Sequence, residues 1–158
     1  MLKHFSLLVL CSCAPGLWSW DIKEMPLLII TDDSMLQWHG DVVNAIAWWN
    51  ENQCNVRFTE DISLAGAGVV VILPYWETNG NLGSTSRHAQ TATIRLVPDP
   101  GNPRAPQRVV RHELGHVAGL PHNEDSRSVM YEAALPERYV LALTDKLTLE
   151  DIYGECSW

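Results

Sequence analysis

The apolar positions of this chain fall first into strand patterns and later into helical ones. Leu27 to Thr31 is a short, almost continuous apolar run and predicts a buried strand. Asp32, Asp33 and Ser34 then supply helix-start side chains, and Val42, Ile46 and Trp49 recur at helical spacing within Leu36 to Asn52. From Asn55 to Glu60, Val56 and Phe58 alternate with polar neighbours, as in a strand with one buried face. Gly68 to Tyr75 is rich in valine and isoleucine and predicts a central strand. Asn79 to Gly83 reads as a loop, Gly83 to Gln90 and Thr91 to Val97 as two closely joined strands, and Pro98 to Pro106 as a turn-rich linker. A helix follows from about Pro106 to Ala118, with Val110, Leu114 and Val117 as its core stripe. A loop-rich stretch and a short helix from about Thr148 close the chain. The pattern as a whole predicts an α+β domain, a mixed sheet with helices packed on it.

The polar residues of that second helix change the picture. His112-Glu113-Leu114-Gly115-His116-Val117-Ala118-Gly119-Leu120-Pro121-His122 sets two histidines four apart, on one helical face, where they can grip one metal ion. Glu113 stands beside the first, placed to handle protons for a water at that metal. Gly119 can take the left-handed conformation that ends a helix, Pro121 discourages its resumption, and the turn returns His122 as a third nitrogen ligand. Three protein ligands leave a fourth tetrahedral position for water, the mark of a catalytic zinc site. Such a pattern arises by chance in a chain of this length with odds on the order of one in ten thousand or less. A structural zinc site is the other metal reading, but it has no need of Glu113 and recruits a fourth protein ligand. Ser128-Val129-Met130-Tyr131 follows at the distance where a tight methionine turn lies beneath such a metal, which makes Met130 a candidate for that turn. His88 reads as a surface strand residue and Trp76 as core or loop packing.

These runs resemble the metzincin clan of zinc metallopeptidases, and within it the matrixin branch. The matrixin-like features are Gly119-Leu120-Pro121-His122 and Met130 followed directly by Tyr131. The resemblance extends upstream through Trp20, Pro26 to Thr31, Val42, Ile46, Trp49 and Phe58. Downstream, Thr148 to Gly154 resembles the start of the closing helix. It implies a zincin-like, two-lobed domain with a twisted, mixed, five-stranded sheet, a long first helix, an active-site helix and a short C-terminal helix. It also implies one catalytic zinc on His112, His116 and His122, with Glu113 as general base. The expected substrate is an extended polypeptide along an edge strand within Gly83 to Gln90. Tyr131 to Leu147 would form a pocket wall, with Tyr131 itself a candidate pocket residue. The sequence departs from the family in several places. Asn123 stands where matrixins usually carry serine. The stretch between Tyr75 and Arg95 lacks the His and Asp residues for a second structural zinc and keeps only His88, so that zinc is not expected, and the sequence leaves calcium open. No Pro-Arg-Cys-Gly type segment stands upstream and no accessory domain follows, so latency by a cysteine ligand is not expected.

Composition narrows the setting. The chain has 158 residues and a net charge of −8, without a basic run, which argues against nucleic acid or an anionic membrane as the main partner. Met1 to Ala14 reads as an export signal, giving a signal segment over 1–19 and a catalytic domain over 20–158. The apolar run is too short to span a bilayer, and no later segment is long and apolar enough for a transmembrane helix. Leu10 to Cys13 also resembles a lipobox, so lipid anchoring through Cys13 stands beside ordinary cleavage between Ser12 and Trp20. Cys54 and Cys156 remain in the exported chain, where two cysteines usually pair; two free thiols in a reduced cytosol are the alternative. The expectation is an exported, secreted or periplasmic, monomeric zinc endopeptidase. Two readings share its site: a zinc hydrolase of the same fold acting on a non-protein amide, and a catalytically weak binding module. The intact Glu113 argues against the second.

Overall fold

A computed structural model describes residues 19–21, 24–76, 81–98, 105–132 and 140–156. The run Met1 to Ala14 expected to be an export signal, with Cys13, and the middle of the expected pocket wall at 133–139 lie outside the described residues. Strand β1 (Leu27–Thr31) leads through a 3-10 segment (Asp33–Trp38) into helix α1 (His39–Asn52). Strands β2 (Phe58–Thr59), β3 (Val69–Pro74), β4 (Gly83–His88) and β5 (Thr91–Leu96) follow, then helices α2 (Ala105–Val117) and α3 (Leu143–Tyr153). The five strands form one sheet in the order β2-β1-β3-β5-β4. All neighbours are parallel except β4, which runs antiparallel to β5 at the sheet edge. This is the mixed, five-stranded α+β architecture expected from the sequence.

Alternation along the strands decides which face meets the helices. Ile29 pairs with Val70, Val70 with Ala92, and Ile72 with Ile94, so these side chains line one face. All of them are buried in one core with Val42, Ala45 and Trp49 of α1 and Val110, Leu114 and Val117 of α2. Ile30, on the opposite face of β1, is half exposed; a fully buried first strand is therefore corrected to a one-faced strand.

Three element boundaries differ from the sequence pattern, each for a local reason. The first helix opens as a 3-10 segment, with Asp32 accepting the Ser34 N–H at 2.9 Å. In that geometry residues three apart eclipse, which puts Met35 and Trp38 together in the core. The second strand shrinks to two residues because Gln53 holds both backbone groups of Val56. The last helix begins at Leu143 instead of about Thr148, so Thr148 to Gly154 are its final turns, not its start. Asp145 accepts the Ala142 N–H at 2.8 Å and caps it. Trp76, expected to be packed, is 75% exposed.

Cys54 and Cys156 form a disulfide with Cα atoms 5.8 Å apart, joining the segment after α1 to the C-terminal tail. Nearby, Asn55 Nδ2 donates to Gly154 O at 2.7 Å. In the chain-entropy picture, a loop of 102 residues places the loss on opening it at up to ~4–5 kcal/mol. We therefore expect Cys54→Ala with Cys156→Ala to lower the denaturant midpoint in a urea titration, with a steeper slope because the unfolded chain without its cross-link exposes more surface. An unchanged midpoint would show that the bridge adds nothing to stability.

Candidate metal centre

Helix α2 is held by packing and by unusual donors on its carbonyls. Trp49 Nε1 donates to Arg111 O at 2.9 Å, Trp20 Nε1 to Val117 O at 2.7 Å, and Tyr153 Oη to Ala118 O at 3.0 Å. The last two satisfy carbonyls that a helix C-terminus leaves without partners. The end itself is a Schellman turn. Gly119 has φ +93°, Leu120 N donates to Gly115 O at 2.9 Å, and Gly119 N donates to His116 O at 3.0 Å. That turn sends the chain back past the helix and delivers His122.

His112, His116 and His122 converge, with their three Nε2 atoms each 3.1 Å from the other two. His112 Nδ1 donates to Val129 O and His116 Nδ1 donates to Leu120 O, both at 2.8 Å. A carbonyl only accepts, so both rings carry their proton on Nδ1 and turn a bare Nε2 lone pair inward. Burial, with the neighbouring imidazoles, pushes His112 down to about 3, against the raising effect of the Val129 carbonyl; the ring is neutral at physiological pH. Lone pairs at 3.1 Å cannot satisfy one another, and a cation between them resolves the conflict. The spacing is slightly tighter than the ~3.3 Å between nitrogens set tetrahedrally at ~2.0–2.1 Å from zinc. An all-imidazole, neutral, open-faced donor set suits zinc.

Met130 is fully buried against helix α2. Its Sδ lies where a side chain on Gly115 would have to be, so the glycine between His112 and His116 is what lets the turn that carries Met130 approach α2. The turn is clamped by side chains whose joint role the sequence pattern did not show, and one of them, Asp145, it did not single out at all. Met130 N donates to Ser128 Oγ at 2.8 Å, and Ser128 Oγ donates to Asp145 Oδ2 at 2.7 Å. Asn123 Nδ2 reaches Asp145 Oδ1 at 2.6 Å. Burial raises the Asp145 carboxyl above its ordinary range, against the lowering effect of these hydrogen bonds. Asn123 thus ties the residue next to His122 into the same knot that holds Met130.

Glu113 is wholly buried. Thr85 Oγ1 of β4 donates to its Oε2 at 2.6 Å, and Oε1 has no hydrogen-bond partner among the described residues. Burial raises the Glu113 carboxyl above the usual range, while His116 and the Thr85 hydroxyl pull it down. Tyr131 is half-buried and bridges Asn123 through the backbone. His88 is exposed at the end of β4 and takes no part in the described three-histidine cluster.

Comparison with known proteins agrees with this geometry. The matrixin family model matches residues 102–154, which contain the whole cluster. Matrix metalloproteinase-A of Caenorhabditis elegans is 30% identical over 105 residues, covering 66% of this chain and 18% of that protein. Probable matrix metalloproteinase 095L of Invertebrate iridescent virus 3 is 41% identical over 46 residues, 29% of this chain and 13% of the viral protein. Human matrix metalloproteinase-21 is 35% identical over 51 residues, 31% of this chain and 9% of that protein. The chain therefore spans less than a fifth of the length of each of these relatives. With the sheet order, the histidine triangle and these matches in agreement, the chain carries a matrixin-like metzincin domain.

Proposed function

We propose that this domain is a zinc-dependent endopeptidase, with His112, His116 and His122 holding the metal and Glu113 as general base. One observation carries the reading: three converging imidazole nitrogens, two of them from a helix that also buries a carboxylate and with their tautomers fixed by backbone carbonyls. When bound, zinc supplies Lewis acidity, which makes a water molecule acidic near neutral pH and polarises a peptide carbonyl. Glu113 takes the proton of the attacking water and returns it to the departing amine. Burial suits the carboxylate to this exchange, because desolvation brings its proton affinity closer to neutrality. The antiparallel edge strand β4 pairs with β5 on one side only and offers its other side to an extended polypeptide by strand addition. Tyr131 begins the wall of the substrate pocket.

We further propose that residues 1–19 direct export and are removed, leaving the domain from Trp20 onward in an oxidising compartment. The Cys54–Cys156 disulfide supports this setting. Among the described residues no helix is long and apolar enough to cross a membrane.

The test is cleavage of unfolded protein substrates by the purified domain, with and without chelator. We expect chelator to abolish cleavage and stoichiometric zinc to restore it. A domain that binds zinc and cleaves no polypeptide would overturn the endopeptidase reading. Turnover of amide-linked cell-wall peptides by such a domain would then favour the non-protein hydrolase, and no turnover of either the binding module.

A further inference from the structure

Thr85 stands 28 residues before Glu113, in an edge strand that packs against helix α2. Its side chain is buried, and its hydroxyl lies 2.6 Å from Glu113 Oε2 and 3.3 Å from the Glu113 backbone O. An ionised carboxylate only accepts, so at the shorter distance the threonine proton belongs to Oε2. Two residues earlier on the same face of β4, Gly83 meets the other oxygen. A Cβ there would stand 2.7 Å from Oε1 and 2.8 Å from Val109 Cγ1. The strand therefore treats the two oxygens differently: one receives a donor and the other is given space.

We propose that Thr85 is a positioning residue for Glu113. Its hydroxyl fixes the carboxylate rotamer and occupies Oε2, leaving Oε1 as the oxygen that takes and returns the proton. The inference rests on the peptidase reading above. It assigns to the edge strand a role in proton transfer, beyond offering backbone groups to substrate. A buried threonine that merely filled space would be replaceable by valine, which has the same shape and no donor.

The test compares Thr85→Val, Thr85→Ala and Thr85→Ser in the zinc-loaded domain, with zinc affinity and thermal midpoint measured beside kcat and KM. We expect Thr85→Val to lower kcat roughly 10- to 100-fold, the range for losing a hydrogen bond to a charged group. KM and zinc affinity should stay within about threefold, and Thr85→Ser should recover most of the rate. If Thr85→Val does not fold, Thr85→Ala carries the same expectation. The proposal is overturned if removing the hydroxyl leaves kcat within about twofold, or if serine restores nothing. A second readout needs no turnover. In the zinc-free protein the Thr85 hydroxyl proton should exchange slowly enough to be seen by proton NMR, and should shift upfield in Glu113→Gln. A fast-exchanging Thr85 hydroxyl would remove the bond on which the proposal stands. A wild type that cleaves no peptide would sink the peptidase reading instead, with the Thr85–Glu113 bond still decided by that proton.

Discussion

Glu113→Gln is expected to lower peptide hydrolysis by at least ~100-fold, the lower range for losing a positioned general acid–base, with zinc still bound. Glutamine keeps the size of the side chain and can still accept from Thr85, so the 2.6 Å contact has a replacement acceptor. What it loses is the ability to hold a proton between attack and departure of the amine. Zinc affinity should change little, because the three donors are imidazoles and two of them are oriented by the backbone carbonyls of Val129 and Leu120. Stability should be preserved or slightly raised. The wild-type carboxylate is buried with one oxygen unpartnered among the described residues, and a neutral amide is less costly to bury there than a charge. Steady-state rates, zinc content and a thermal melt of the purified variant test all three points. Near-normal hydrolysis by Glu113→Gln would mean that another group carries the proton.

The convergence of the three histidines is legible in the sequence because its logic is local. His112 and His116 share a face by helical period. Gly119 marks the end of the helix by taking a left-handed backbone conformation that residues with a Cβ rarely adopt without strain, and here its φ is +93°. His122 follows within three residues of that turn. The strands were legible from runs that fill one core, and the disulfide from the pairing habit of exported cysteines. The features that escaped have long-range or competing causes. Thr85 in an edge strand reads as ordinary β propensity, and nothing nearby in the chain announces a carboxylate 28 residues away. The Asp145–Ser128–Asn123 knot joins positions 17 and 22 apart, through polar side chains that look like loop residues. The start of α3 was hidden because Leu143 and Leu147 are exposed, so the helix has no continuous apolar stripe before Leu149. The second strand shortened because one side chain, Gln53, outcompeted sheet pairing at Val56.

The histidine triangle predicts a second large effect, with opposite signs in the two states of the domain. His122→Ala should weaken zinc binding by more than 100-fold, because loss of a ligand exceeds the 10–100-fold typical for loss of a group that merely orients one. Hydrolysis should fall to background at zinc concentrations that saturate the wild type. The zinc-free domain should respond differently. There, three Nε2 atoms face one another at 3.1 Å, and the His112 ring is held neutral by burial. Removing His122, which is only half-buried and lies on a loop after the helix end, takes away an electron-rich neighbour and little packing. The thermal midpoint of the zinc-free variant should therefore match or exceed that of the zinc-free wild type. With zinc present the order reverses, since a ligand bound only by the folded state stabilises it by ~4 kcal/mol at a thousandfold excess over Kd. Melting both proteins with excess chelator and with excess zinc tests the crossover. A variant that keeps the full zinc-induced rise in midpoint would show that His122 is not a ligand, and an equal drop in both conditions would show that it serves packing.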